Sequence, residues 1–232
     1  MVVGLRDEPS LKAWEAQTGG RDPVPIITRD PGLLAAQCFG APASRDAAFG
    51  LCITAPEILS YHADRTVAGS DAARFYPEII HRLCARGERV RLFTNGAAED
   101  RQALAQLVSS NSIRKLIDAG KVDVPKQPET PTELALLIAS CASVIAHRLH
   151  ACIVAYSYGI PVVGLGWDRK VESFFGSVGL EACFVGTTGI AGKEVADLAV
   201  EANRQGVEAS QHQELLSETW AGLDAILGTL RG

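Results

Sequence analysis

The sequence has no run of about 18 apolar residues, the length a membrane-spanning helix needs. Its opening Met-Val-Val-Gly-Leu-Arg lacks the long apolar core of a secretory signal. The six cysteines, Cys38, Cys52, Cys84, Cys141, Cys152 and Cys183, include no Cys-x-x-Cys pair. Most sit in apolar runs or on helix faces. They read as small buried residues in a reducing compartment, not as a zinc site or a disulfide framework. There is no Gly-x-Gly-x-x-Gly, no Walker-type loop and no metal-ligand cluster, so neither a metal nor a cofactor is expected. A formal net charge of −5 argues against general binding to nucleic acid or to a membrane surface.

What is present describes an ordinary globular protein. Apolar residues make up 47% of the 232-residue chain, enough for one large or two small domains. Residues 1–45 supply little: a strand near Val2–Leu5, a helix over Leu11–Gln17 stopped by Gly19 and Gly20, and a short strand at Ile26–Ile27. That is too little for an independent core. From about Ala47 strands and helices alternate, the pattern of a doubly wound α/β fold with a parallel sheet. Strands are predicted at Phe49–Thr54, Arg89–Thr94 and Lys121–Val124, with helices at Ala72–Arg86, Glu99–Ser109 and Ile113–Ala119. Thr130, Pro131 and Glu133 form a capping box that opens a helix running to Cys141. Farther on, helices are predicted at Val171–Ser177, Lys193–Arg204 and Ala209–Leu230, with an edge strand at Cys183–Val185. His81 and His212 fall on polar helix faces, where exposure to solvent is the simplest expectation.

The centre of the chain is Ala146–Lys170. A buried strand, Ser143–Ala146, runs straight into Arg148, Leu149 and His150. A helix of small residues follows to Tyr158, then Gly159, Pro161 and a second strand, Val162–Leu165. Strand, charged corner, helix and strand make a β-α-β unit. Both polar ends of such a unit fall on the edge of the sheet where ligands bind. Two strand exits therefore deliver Arg148, His150, Asp168 and Lys170 towards one crevice. The helix start offers unpaired N–H groups and the positive end of its dipole. Arg148 adds a planar fork suited to carboxylate or phosphate, and Lys170 adds a compact positive charge. Histidine is the side chain suited to moving a proton near neutral pH. The plainer alternative is that Arg148 and His150 merely cap a buried helix. His147 is expected to point the other way and to be structural.

At these residues the chain resembles a known family. Arg148, Leu149, His150, Ala151, Ile153, Ala155, Gly159, Pro161, Val162 and Val163, followed by Lys170, are similar to the C-terminal signature of the polysaccharide pyruvyl transferases. Arg6, Asp7 and Ser10, followed by Val24–Asp30 and Pro31, resemble the segment that ends the first lobe in that family. The resemblance implies a two-lobed protein of the GT-B type with Rossmann-like lobes. Residues 1–45 are then the tail of an incomplete first lobe and its linker, and residues 46–232 the C-terminal lobe. In such folds a terminal helix often packs back across the cleft between lobes.

The resemblance also implies the reaction: pyruvyl transfer from phosphoenolpyruvate to a sugar, usually as a ketal, during assembly of an exported or cell-surface polysaccharide. The acceptor is often lipid-linked or nucleotide-linked, and the location is cytoplasmic. His150 is expected as acid and base, and Lys170 as the charge on the phosphate side. Arg148, Leu149 and Arg6 are expected to hold substrate. For Arg6 and Asp7 a structural ion pair is an equal alternative. His62 and Asp64, in the loop after the first full strand, read better as solvated. The expected protein partner is a missing first lobe or a second copy of the chain, and without one the isolated chain is expected to be inactive. Two other readings stay open: a GT-B glycosyltransferase lobe that binds a sugar nucleotide, with Asp168 the nearest candidate for its ribose, and a non-catalytic lobe that binds glycan or protein.

Overall fold

The computed structural model describes residues 3–21, 23–56, 69–166, 169–186 and 191–228. Its frame is a parallel sheet of six strands among those residues: β3 (Phe49–Ile53), β4 (Val90–Thr94), β5 (Val122–Asp123), β6 (Ser143–Ala146), β7 (Val162–Leu165) and β8 (Phe184–Val185). Their order across the sheet is β5-β4-β3-β6-β7-β8, and every pairing is parallel. β6 and β7, the two strands around which the sequence is organised, have the predicted bounds and lie side by side with Ala146 opposite Gly164.

Strand geometry explains why both faces of this sheet are covered. Successive side chains point to opposite faces, and here both sets are apolar. Phe49, Leu51, Ile53, Ile145, Val163 and Leu165 enter one core. Cys52, Val144, Ala146 and Val162 enter the other. Helices α3 (Gly69–Ala85), α4 (Ala98–Ser109), α5 (Asn111–Asp118) and α9 (Gly192–Gln205) close the first face. Helices α6 (Pro131–Ala139), α7 (Leu149–Ser157), α8 (Arg169–Ser177) and α10 (Ala209–Gly228) close the second. Near-continuous burial on both sides is what an all-parallel sheet requires. The fold is therefore Rossmann-like and doubly wound, as the sequence predicts.

Local chemistry sets the helix ends. The capping box at α6 is formed, with Thr130 accepting from the Glu133 amide and Glu133 accepting from the Thr130 amide. After α7, Gly159 takes a φ of 66°, and β7 begins just beyond Pro161. The first helix, α1, spans Glu8–Thr18 and so starts earlier than predicted, because Asp7 caps it by accepting from the Ser10 amide.

The N-terminal segment carries a separate two-stranded parallel sheet, β1 (Gly4–Leu5) and β2 (Ile26–Ile27), followed by a 3-10 turn (Pro31–Leu34) and a short helix, α2 (Ala35–Phe39). Leu33, Leu34 and Ala35 are buried in the core beneath α7. α10 packs back over this segment. Glu218 pairs with Arg29 at 2.8 Å, and Trp220 donates to Gln37. His212 on α10 does not stand in solvent as expected. Its ring packs edge-on against Tyr156, centroids 5.1 Å apart, because α10 lays that face on the core. Among the described residues no helix is long and apolar enough to cross a membrane.

β7 is tightly fitted at Gly164, where a Cβ would overlap the ring of the fully buried Phe175. Gly164→Ala should therefore destabilise the fold by about 1–3 kcal/mol through overpacking. Urea unfolding should show a lower midpoint with an unchanged slope, and an unchanged midpoint would contradict this packing.

Candidate functional site

The strand order reverses direction between β3 and β6, and at such a switch point the crevice outside the carboxyl ends of the strands receives ligands. Four elements bring polar groups there. β3 leads out into Thr54 and Ala55, β6 leads out into His147 and Arg148, α3 contributes Tyr76, and α4 contributes Asp100 from its first turn. Arg148 directs Nε (3.0 Å) and Nη2 (2.6 Å) at one oxygen of Asp100. The other oxygen of Asp100 accepts from the Ala55 amide at 2.9 Å. Asp100 is wholly buried, while the Arg148 side chain keeps 18% of its surface. A single carboxylate thus ties together the exits of β3 and β6.

Beside it lies a neutral network. Tyr76 Oη accepts from the Thr54 amide at 3.0 Å and lies 3.0 Å from His147 Nδ1, closer than the 3.4 Å to the Thr54 carbonyl. With one phenolic proton to give, this geometry has Tyr76 donating to an unprotonated Nδ1. Burial, aided by the nearby Arg148 charge, lowers His147 to about 3. Burial raises Tyr76 well above its usual range. Both rings are therefore uncharged at neutral pH, and His147 has the structural place expected of it. Two further polar atoms at this edge, Thr54 Oγ1 and Asn95 Oδ1, are buried without a hydrogen-bond partner among the described residues.

The structure brings Arg148, Leu149 and His150 together at one strand exit. Arg148 is the N-cap of α7 but makes no side-chain bond to the helix, and the first amides, those of Leu149 and His150, have no acceptor within the helix. His150 is exposed and Leu149 half-buried. Lys170 is exposed in the first turn of α8, directly after β7, the neighbour of β6. The fork expected of Arg148 is already half used, since one edge is engaged by Asp100.

Arg6 is engaged elsewhere, lying 3.2 Å from Asp7 and 3.8 Å from Asp30. Asp7 is itself held by Ser10 and by Ser173 of α8. Burial works to raise the Asp7 carboxyl, but hydrogen bonds from Ser10, Ser173 and Arg6 outweigh it, and the group lies below the usual carboxylate range. His62, Asp64 and Asp168 fall outside the described residues.

Sequence reasoning missed Asp100 and Tyr76. In the sequence Asp100 reads only as an acid in the first turn of a helix, where the dipole favours one. Nothing local signals a partner 48 residues away. Two surface depressions, about 460 and 340 Å³, are lined in part by Arg74, His81 and Lys193 and by Arg45, Tyr158 and His212. Neither is lined by Arg148, His150 or Lys170. No group of three or more metal-ligating side chains occurs among the described residues.

Comparison with known proteins agrees with this architecture. The UDP-GlcNAc 2-epimerase of Methanocaldococcus jannaschii, solved with UDP-GlcNAc and UDP, superposes with a TM-score of 0.57 at 11% identity, over 89% of this chain and 57% of that one. The Anabaena protein Alr3699/HepE, solved with UDP and glucose, gives 0.51 at 14% identity, over 100% of this chain and 63% of that one. Likeness at this identity shows a shared fold, the Rossmann-like lobe of GT-B-type proteins. This chain spans less than two thirds of the length of either. No curated protein matches the sequence. The sequence pattern of the family "Polysaccharide pyruvyl transferase" matches residues 2–169, and the chain belongs to that family, one of transferases.

The buried His147 makes stability depend on pH. Its pKa is 6.5 in the ordinary state and about 3 when folded, so the unfolded chain takes up a proton that the folded ring refuses. This stability is present above 6.5 and is lost as pH falls towards 3, by about 1.4 kcal/mol per pH unit. Denaturant unfolding of wild type and His147→Gln between pH 8 and pH 4 should give curves that converge as pH falls. Parallel curves would show that His147 is not held neutral.

Proposed function

We propose that this chain carries the donor-side groups of an enzyme that moves a pyruvyl group from phosphoenolpyruvate to a sugar of an exported or cell-surface polysaccharide, on the cytoplasmic side. The observation that carries the reading is the Arg148-Leu149-His150 corner, set at the exit of β6 beside the exit of β7 that leads to Lys170. Membership of the family supports the reaction class.

The chemistry follows from the donor. Phosphoenolpyruvate carries a carboxylate and a phosphate on one enol. Protonation at C3 makes C2 electrophilic, and one sugar hydroxyl adds there and loses its proton. A second hydroxyl then displaces phosphate from the same carbon, closing the ketal. One of the two hydroxyl protons balances that added at C3, and the other leaves with phosphate. His150, exposed at the crevice, is the group we assign to deliver and recover the proton. The end-on edge of Arg148 and the amides of Leu149 and His150 hold the donor's negative oxygens, and Lys170 supplies charge on the phosphate side. Arg6 has the weaker claim to substrate, since its partners here are Asp7 and Asp30.

Calorimetry with phosphoenolpyruvate, set against UDP, tests the reading. Phosphoenolpyruvate should bind and UDP should not; the reverse would favour a sugar-nucleotide lobe. Arg148→Lys, which keeps the charge but loses the fork, should weaken binding by about tenfold or more. Lys170→Ala should cost less, because a flexible ammonium gives up rotamer freedom to make its contact. His150→Ala should spare binding and, in the two-lobed protein, abolish transfer. Near-normal transfer by His150→Ala would remove the acid and base role from that residue.

A further inference from the structure

We propose that Asp100 is a positioning residue for Arg148, fixing the plane of the guanidinium so that its remaining edge faces the donor anion. The inference rests on the function proposed above and adds a residue to it. Three observations carry it. Asp100 is wholly buried, yet both of its oxygens are occupied: one by the Ala55 amide, the other by Arg148 Nε and Nη2 together. The carboxylate cannot turn, because the exit of β3 holds one oxygen and the first turn of α4 holds its backbone. Gripping Nε and Nη2 takes the side edge of the guanidinium and leaves the end-on edge. There Nη1 has no hydrogen-bond partner among the described residues.

Stability alone is a poor reason for this arrangement. A buried ion pair gains little over apolar side chains of the same shape, because desolvating two charges offsets their attraction. What the pair does provide is geometry. An arginine on a long flexible stem at a strand exit would otherwise sample many rotamers, and ordering it on binding would cost affinity. The carboxylate orders it beforehand.

Asp100→Asn is the decisive variant, since it keeps the size of the residue and an acceptor for the Ala55 amide but removes the charge that grips Arg148. Three readouts are compared at a temperature where circular dichroism shows both proteins folded. The Arg148 Nε–H resonance should exchange slowly with water in wild type and quickly in Asp100→Asn. The Kd for phosphoenolpyruvate should rise about tenfold in Asp100→Asn, and Asp100→Glu should recover part of the loss. Combining Asp100→Asn with Arg148→Lys should cost less than the two single effects added together. A folded Asp100→Asn whose Kd and Nε–H exchange stay within twofold of wild type would overturn the proposal, leaving Asp100 a purely structural acid. Should wild type bind no phosphoenolpyruvate, the transferase reading fails, and the exchange measurement alone decides: slow exchange lost in Asp100→Asn upholds the positioning, equal exchange overturns it.

Discussion

A parallel sheet buried on both faces gives charged side chains nowhere to go except the ends of its strands. Here the six strands send apolar residues into two cores, and the polar groups lie at the strand ends, Arg91 with Asp46 and Asp123 at the amino ends and the candidate site at the carboxyl ends. The Asp100–Arg148 pair is the result of that constraint. It lies where strand order reverses, and neighbouring crossovers leave to opposite faces there, which opens a gap at the edge. A charge inside such a gap must be paired and hydrogen-bonded to persist. Asp100 meets the requirement with the Ala55 amide and Arg148, and Tyr76 and His147 meet it by staying neutral. These groups are thus tied to one another before any ligand arrives.

The N-terminal segment obeys a different logic. Asp7 looks in sequence like a partner for a substrate-binding Arg6, but its oxygens cap α1 and receive Ser173 from α8. Arg29 adopts a left-handed backbone with φ 58°, a conformation that costs a non-glycine residue of the order of 1 kcal/mol. It is held there by Glu218 and by the Ser177 carbonyl at the end of α8. The segment therefore fastens α8 and α10 to each other. α8 is the helix whose first turn carries Lys170, so the fastening also bears on the second strand exit.

The fold was largely legible in the sequence because its signals are local. β6 and β7 are short apolar runs bounded by polar corners, and α6 opens on a capping box that needs only four consecutive residues. The start of α1 is less legible: the Asp7 cap places it at Glu8, before the predicted Leu11. The corner Arg148-Leu149-His150 was legible for the same reason, since one β-α-β unit builds it. Asp100 and Tyr76 were not, because their meaning lies in pairings across the sheet. His212 was misread because the face of α10 that meets the core depends on where the chain returns, and the sequence pattern of one helix does not contain that information.

The pairing also changes how an anion would be held here. A lone arginine attracts through net charge, and salt screens that attraction. Arg148 arrives with its countercharge already beside it, so its pull at a distance is largely cancelled. What remains is directional: the end-on N–H groups, the amides of Leu149 and His150, and the dipole of α7. Such contacts act only on an oxygen in the right place, and they favour a rigid, planar donor over a flexible one of equal charge. Under the proposed reaction this fits the need, because the enol must be held with C3 beside a proton source while its phosphate stays free to leave. The fold by itself decides little about such a site. What distinguishes this edge is its few polar side chains, and among them a fully buried acid, Asp100, holds Arg148.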